Sequence, residues 1–326
     1  MSAPPLHRTE HRLVVAAPPS TVYDLVADVT RWPVIFGPSV HVRHLERTAT
    51  AERFEIWALV NGGVADWVSR RTLDPGRPRV TFAQQRSRAP VASMGGEWSF
   101  RPLADGRTEV VLRHHFSAVD DDPGAVEWIT EALHRNSPEE LAALARVAEI
   151  GHPVDAVVFS FTDTVELSRT TAAAAYDFVE RADLWEERLP HVDRVRLGEP
   201  TPGVQELEMD TVTADGSTHT TSSIRICRAP EWIAYKQRVT PRLLLGHCGL
   251  WTFSEGATGA VATARHTVAL DPSAVVEVLG PGHGLADARA HVREALGRNS
   301  RATLAHAATA PSAGTAPSAG TSGAGA

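Results

Sequence analysis

The sequence predicts an α+β chain that folds twice over, as two tandem domains, each a curved antiparallel sheet wrapped around one long C-terminal helix. Three observations carry this. First, STVYDLVADVTRWPVIF at 20–36 returns as AAAYDFVERADLWEERL at 173–189, so that Tyr23 answers to Tyr176 and Trp32 to Trp185, each pair 153 residues apart. Second, GGEWSF at 95–100 returns as CGLWTF at 248–253 with the same offset, and HRNS at 134–137 as GRNS at 297–300 after a longer insertion. Anchors repeated in one order mark an internal duplication. Third, each copy reads as a short helix, a run of strands broken by turn pairs, and a long amphipathic helix.

Within the first copy, HRLVVAAP reads as an opening strand, followed by a helix around PSTVYDLVADV entered through Pro19 and Ser20, residue types that favour helix starts. HVRHLERT, RFEIWALVN, VADWVSRRTL, RVTFAQQ, ASMGGEWSFRPL and TEVVLRHHFSAV read as strands, with Asn61-Gly62, Pro75-Gly76 and Asp105-Gly106 at turns. The copy closes with DPGAVEWITEALHRNSPEELAALARVAEI, whose apolar positions 126, 129, 133, 141, 144 and 147 fall at helical spacing. Pro138 before two glutamates predicts a kink or restart in that helix. The domains are placed at 8–149 and 158–308, joined by a linker at 150–157. The Ala/Gly/Ser/Thr/Pro stretch 309–326 reads as a disordered tail. One long helix cannot fill the concave side of such a helix-grip sheet, which leaves a deep, mostly apolar pocket.

Composition narrows the function. The chain has 326 residues, 43% of them apolar, and 32 basic against 39 acidic residues for a net charge of −7, which argues against a nucleic-acid partner. Its two cysteines, Cys227 and Cys248, have no CxxC or Cys/His cluster beside them, so neither a disulfide framework nor a metal site is expected. No stretch approaches the ~18 apolar residues of a membrane helix, and the N-terminus carries charges where a signal peptide needs an apolar core. A cytoplasmic protein with no membrane partner is expected. Pro281-Gly282-His283-Gly284 lacks the Lys-Ser/Thr pair of a phosphate loop.

The strand WVSRRTL at 67–73 poses the chemical question. Alternation puts Trp67, Ser69 and Arg71 on one face. In the second copy the stretch reads TSSIR, keeping Ser223 and Arg225 but with Thr221 in place of the tryptophan; there Ile224 and Ile226 are equally good candidates for the inward pair.

The helix followed by DVTRWP, then DWVSRR, then GGEWSF, in two copies covering about nine tenths of the chain, resembles the didomain aromatase/cyclases of bacterial type II polyketide synthases, a START-like helix-grip superfamily. The resemblance implies a cofactor-independent, lyase-type enzyme of antibiotic biosynthesis. Its partner would be an acyl carrier protein bearing a poly-β-ketone, with the ketoreductase and ketosynthase of the same synthase close by. Ring closure, dehydration and aromatisation all move negative charge onto oxygen. Arg71 and Ser69, and Arg225 and Ser223 in the second copy, are the expected catalytic donors. Trp32, Trp67, Trp98, Trp185 and Trp251 are expected as flat walls that hold the chain in one folded shape, although Trp32, Trp98, Trp185 and Trp251 are equally well read as core packing, and Trp67 with Arg71 could instead face the solvated convex side. Gln85 and Met94 join the first lining, Tyr235 and His247 the second. Asn136, seven residues after Ile129 on the helix stripe, and its counterpart Asn299 are expected to orient a carbonyl or a water. His247 stands where the first copy has Met94, and His266 pairs with His115; His266 is the candidate for proton transfer, though the sequence does not show which ring faces inward. Ser39 stands where single-domain relatives can carry a tyrosine, so a tyrosine mechanism at that position is not expected. Four arginines in RPRVTFAQQRSRAP, 77–90, offer a site for an acidic carrier at the pocket mouth or simply a solvated strand edge. Two other classes stand beside this one. The runner-up is a helix-grip protein that binds or carries a polyketide or lipid without altering it. The third, a coenzyme-dependent oxidoreductase, lacks a Gly-x-Gly-x-x-Gly after a strand.

Overall fold

In the computed structural model, residues 5–168, 170–212 and 218–308 are described; the expected tail at 309–326 lies outside them. The first copy contains β1 (His7–Val15), α1 (Pro19–Ala27), α2 (Trp32–Ile35), β2 (Ser39–Arg47), β3 (Ala51–Val60), β4 (Gly63–Asp74), β5 (Arg79–Arg86), β6 (Val91–Pro102), β7 (Thr108–Ala118) and α3 (Pro123–Ala148). A short helix, α4 (Val154–Val157), leads into the second copy. That copy has β8 (Val158–Ser168), α5 (Ala172–Glu180), α6 (Trp185–Arg188), β9 (Val192–Thr201), β10 (Val204–Val212), β11 (Thr218–Arg228), β12 (Trp232–Val239), β13 (Leu244–Glu255), β14 (Gly259–Leu270), α7 (Val275–Leu279) and α8 (Leu285–Ala307). Both sheets are seven-stranded and antiparallel, in the orders β1-β7-β6-β5-β4-β3-β2 and β8-β14-β13-β12-β11-β10-β9. The duplication and the α+β architecture are therefore as the repeats implied, and α7 with the loop after it forms the insertion that lengthens the second copy.

Local chemistry sets the boundaries. Asn61 (φ 49°) and Gly62 (φ 87°) form the two-residue turn between β3 and β4, the left-handed pair that matches strand twist in a tight hairpin. Asp122 caps α3 by accepting from Ala125 N, and Thr171 caps α5 by accepting from Ala174 N. The kink or restart expected at Pro138 does not end the helix: α3 runs as one element through it, because a single missing N–H removes one ladder bond and leaves the rest. The opening strand begins at His7, earlier than its apolar part suggested, because polar His7–Arg12 pairs with β7 along its whole length.

Ile129, Leu141, Leu144 and Val147 of α3 are buried against the sheet, as the helical spacing required. Burying such a side chain contributes roughly 1.5–3 kcal/mol. The two copies also share a core, for Val34, Ile35 and Phe36 of the first cluster with Leu243, Leu244 and Val268 of the second. Trp57 and Trp232 meet edge-on across the junction at 5.6 Å. A Cβ on Gly246 would collide with the backbone of Val34, so glycine is what lets the copies approach there.

Candidate active sites in the two copies

Each concave face retains a cavity. The first, about 220 Å³, is walled by Trp32, Trp67, Trp98, Phe54 and Ile56, with Ser69, Arg71, Met94 and Asn136 also on its surface. The second, about 130 Å³, is bounded by Trp185, Ser223, Arg225, Tyr235, His247, Trp251, His266 and Asn299. Alternation on β4 therefore does what the sequence suggested: Ser69, Arg71 and Leu73 are buried while Arg70 and Thr72 are exposed. On β11, Ser223 and Arg225 also face the second cavity.

Gln85 is the exception among the expected lining residues. Val68 pairs with Arg86 but Ser69 with Gln84, so Gln85 is the extra residue of a β-bulge and points outward. Gln84 takes its place in the cavity, and Gln237 does so in the second copy, where Arg238 is the bulged residue. A bulge shifts the alternation by one, which a period-two reading cannot detect. The pairing of His266 with His115 is corrected by register as well. Gly96 faces His114 and Gly249 faces His266, so His114 is the counterpart; Trp98 to Leu112 spans one residue more than Trp251 to Ala264. His114 lines the first cavity, whereas His115 is exposed.

The two arginines do the same structural work by different means. Arg71 Nη1 donates to Val26 O at 2.8 Å and Nη2 to Ala27 O at 2.6 Å, satisfying the last carbonyls of α1. Its Nε donates to Glu52 Oε1 at 2.7 Å, its Nη2 also pairs with Glu52, and the other Glu52 oxygen meets His44 Nε2 at 2.9 Å. Arg71 also lies 4.9 Å from the centre of the Trp32 ring. One N–H, on Nη1, is left without a protein acceptor among the described residues. Arg225 likewise caps α5 through Val179 O and Glu180 O. Gln205 occupies the position of Glu52, however, and no carboxylate pairs with Arg225 among the described residues. Burial depresses both guanidinium pKa values, and only Arg71 has a carboxylate opposing that shift through a hydrogen bond.

The polar groups around each cavity differ. In the first, burial lowers His114 to about 3 and leaves its Nδ1 unpartnered. Burial raises Glu140, one helical turn beyond Asn136, to about 8, reinforced by Glu139 and opposed by Lys236. Neither was anticipated from sequence, although the i,i+4 spacing from Asn136 placed Glu140 on the same face. Asn136 Nδ2 donates to Leu59 O at 3.3 Å. In the second, Tyr235, His247, His266 and Ser300 are joined by hydrogen bonds, and Asn299 lies at the exposed rim. The glycine shared by GGEWSF and CGLWTF has a visible purpose: a Cβ on Gly96 or Gly249 would strike the Phe82 or Tyr235 ring.

The second copy also supports the first cavity. Lys236 Nζ, reaching across the junction, donates to Phe36 O, Gly37 O and Ser39 O at 2.6, 2.7 and 2.9 Å, fixing the turn that carries Phe36, Pro38 and Ser39 into the cavity wall. Burial lowers its amine to about 8.

Residues 7–149 match the family described as polyketide cyclase/dehydrase and lipid transport. Over 95% of this chain and 96% of its own, the granaticin polyketide synthase bifunctional cyclase/dehydratase of Streptomyces violaceoruber is 63% identical. The actinorhodin polyketide synthase bifunctional cyclase/dehydratase of Streptomyces coelicolor is 53% identical over 95% of this chain and 98% of its own. Among solved structures, the di-domain ARO/CYC BexL from the BE-7585A biosynthetic pathway superimposes with a TM-score of 0.77 at 47% identity, covering 95% of this chain and 100% of that one. StfQ, the di-domain ARO/CYC of the steffimycin pathway, gives 0.75 at 35% identity over 92% and 97%.

Proposed function

The chain belongs to the polyketide cyclase/dehydratase family and is an aromatase/cyclase, and on that premise we propose that its N-terminal cavity folds a carrier-bound, ketoreduced poly-β-ketone and closes the first ring. The observation that supports this most is the cavity of about 220 Å³ in which tryptophan walls surround a few convergent polar groups. Trp32, Trp67 and Trp98 restrict a flexible chain to one bend, which brings the attacking carbon and the target carbonyl together and converts lost chain entropy into rate.

The chemistry then needs a base, an oxyanion donor and an acid. His114, kept neutral by burial, accepts the proton from the carbon between two carbonyls, and the resulting enolate carbon attacks the third carbonyl. A C–C bond forms as the carbonyl becomes an alkoxide. The Ser69 hydroxyl and the unpartnered Nη1–H of Arg71 are the donors offered to that oxygen. Glu140, kept protonated by burial up to about pH 8, delivers the proton that completes the alcohol. Asn136 orients a carbonyl. Exposed Arg88 borders the cavity and pairs with Asp66, and exposed Arg86 stands two residues before it. They suit the acidic surface and phosphate of an acyl carrier protein. As a component of a polyketide synthase, like its relatives, the protein would work in the cytoplasm beside the ketosynthase and ketoreductase.

The test is product analysis of a reconstituted minimal synthase with its ketoreductase. Wild type should divert shunt products into a single aromatic first ring, and Ser69→Ala and His114→Ala should return them towards the shunt pattern. Wild type that leaves the pattern unchanged would reject cyclisation of this substrate and favour passive binding.

A further inference from the structure

The C-terminal cavity holds an assembly that the N-terminal one lacks. The Tyr235 hydroxyl lies 3.3 Å from His247 Nε2 and 3.1 Å from His266 Nδ1, those two nitrogens are 3.1 Å apart, and His266 Nε2 lies 2.8 Å from Ser300 Oγ. The two imidazoles stack with centroids 5.3 Å apart. Register places Phe82, Met94, His114 and Ser137 at the corresponding positions of the first copy, so two apolar residues there have become a phenol and an imidazole here.

A neutral imidazole carries one N–H and one bare nitrogen, and the phenol carries one O–H. Three mutually close atoms with at most one hydrogen each form a small proton circuit. With Tyr235 donating to His266 Nδ1 and His247 Nε2–H donating to Tyr235, the phenol joins the two imidazoles and can pass a proton between them. Burial keeps both histidines neutral, with His266 lowered to about 4, and it holds the phenol of Tyr235 protonated. The cluster therefore has a base at one corner and a donor at another, without drawing on solvent.

Beside it, Arg225 spends two N–H groups on the end of α5. The other three have no protein acceptor among the described residues, and with Gln205 in place of Glu52 no carboxylate hydrogen-bonds to the guanidinium there; Glu180 acts on it only through space. A buried guanidinium with free N–H groups and no carboxylate bound to it is where an enolate oxygen gains most. The cavity is also small. About 130 Å³ is close to the ~150 Å³ that accommodates a benzene ring, which suits a closed ring rather than an extended chain.

We propose that the C-terminal cavity is a second catalytic site, one that dehydrates a β-hydroxy carbonyl compound whose first ring has already closed. The proposal rests on the aromatase/cyclase reading and divides its two reactions between the copies. The α C–H bond breaks, its proton passing to the His247/His266 pair and its electrons to the carbonyl oxygen beside Arg225. The enolate then re-forms the carbonyl and expels the β-oxygen, which takes the proton back from the circuit and leaves as water. One C–H and one C–O bond are broken, one C=C and one O–H bond are made, and the protein ends in its starting protonation state.

The experiment uses the full chain in the reconstituted synthase with ketoreductase, and mass spectrometry to separate uncyclised shunt products, ring-closed products that retain the hydroxyl, and the aromatic product one water lighter. Tyr235→Phe combined with His247→Met installs the side chains that the first copy folds with; Tyr235→Phe alone removes a single oxygen, should the double variant melt early. The expected result is a fall of about a hundredfold or more in the ratio of aromatic to hydroxylated ring-closed product, the lower end of what loss of a proton-transfer group costs, with shunt products at the wild-type level. An unchanged ratio in folded variants, or a rise confined to uncyclised shunt products, overturns the assignment. Wild type that changes no product rejects the functional reading itself, and the assignment with it.

Discussion

The two cavities stand on the same frame of seven strands and a long helix, yet they treat a buried arginine in opposite ways. In the N-terminal cavity Glu52 neutralises Arg71 and His44 takes up the remaining Glu52 oxygen, so that the charge is sealed into the wall. In the C-terminal cavity Gln205 and Leu197 occupy those positions, and no carboxylate hydrogen-bonds to Arg225 among the described residues. The aromatic walls follow the reverse order, Trp67 in the first giving way to Thr221 in the second. The first cavity thus has more aromatic wall, and the second an arginine with no bound carboxylate. Duplication lets one frame serve both because helix-end capping needs only a guanidinium, while its partner residue is free to vary.

The sharpest way to break this comparison is to remove each arginine. Arg71→Ala strands the Glu52 carboxylate in the core and uncaps α1, and is expected to destabilise by ~3–5 kcal/mol. Arg225→Ala strands no carboxylate and is expected to cost only ~1–3 kcal/mol, while its effect on the yield of aromatic product should be the more specific of the two. Equal shifts in urea-unfolding midpoint would show that Glu52 does not set the two arginines apart.

Acid should distinguish the copies next. His266 falls from an ordinary 6.5 to about 4, and His247 lies well below 6.5, both through burial. The folded state then binds fewer protons than the unfolded chain between those values. The corresponding stability is complete above pH 6.5 and is lost as pH falls towards 4, up to about 3 kcal/mol for His266, with His247 acting in the same direction. His41 at the junction and His114 titrate in the same sense, so the informative measurement is the difference between wild type and His247→Met. The variant's melting temperature should fall less steeply from pH 7 to 4.5, and parallel curves would remove His247 as a source.

A smaller effect tests how far the copies depend on one another. Lys236→Met removes three charge-assisted hydrogen bonds to the turn carrying Phe36 and Ser39, and is expected to cost about 2–3 kcal/mol and to weaken ring closure in the first cavity although the substitution lies in the second copy. Unaltered shunt levels would show that the turn holds without it. Least of all, Gln85→Ala should change stability by less than ~0.5 kcal/mol, whereas Gln84→Ala should alter the product pattern; a reversed outcome would place the bulge wrongly.

Much of this was legible in the residues. Tyr23/Tyr176 and Trp98/Trp251 announced the duplication, and the inward face of WVSRRTL followed from the period of two. Val126 to Val147 outlined the long helix, because hydrophobic spacing is a local record of which side is buried. Gln84, His114 and Glu52 were not legible. The first depends on a bulge, the second on a hairpin one residue longer than its counterpart, and the third on which side chain a neighbouring strand brings opposite Arg71.

By itself, then, the sequence determined the number of copies, the order of elements, the faces of most strands and the family of reaction, since each is written in spacing along a single chain. Tertiary structure alone decided that a carboxylate binds Arg71 and none of the described residues so binds Arg225, that Tyr235, His247 and His266 meet in one hydrogen-bonded cluster, and that Lys236 braces a cavity in the other copy. Those depend on strand register and on the packing of one copy against the other, where a displacement of one residue turns a side chain from core to solvent and distance along the chain carries no information about distance in space.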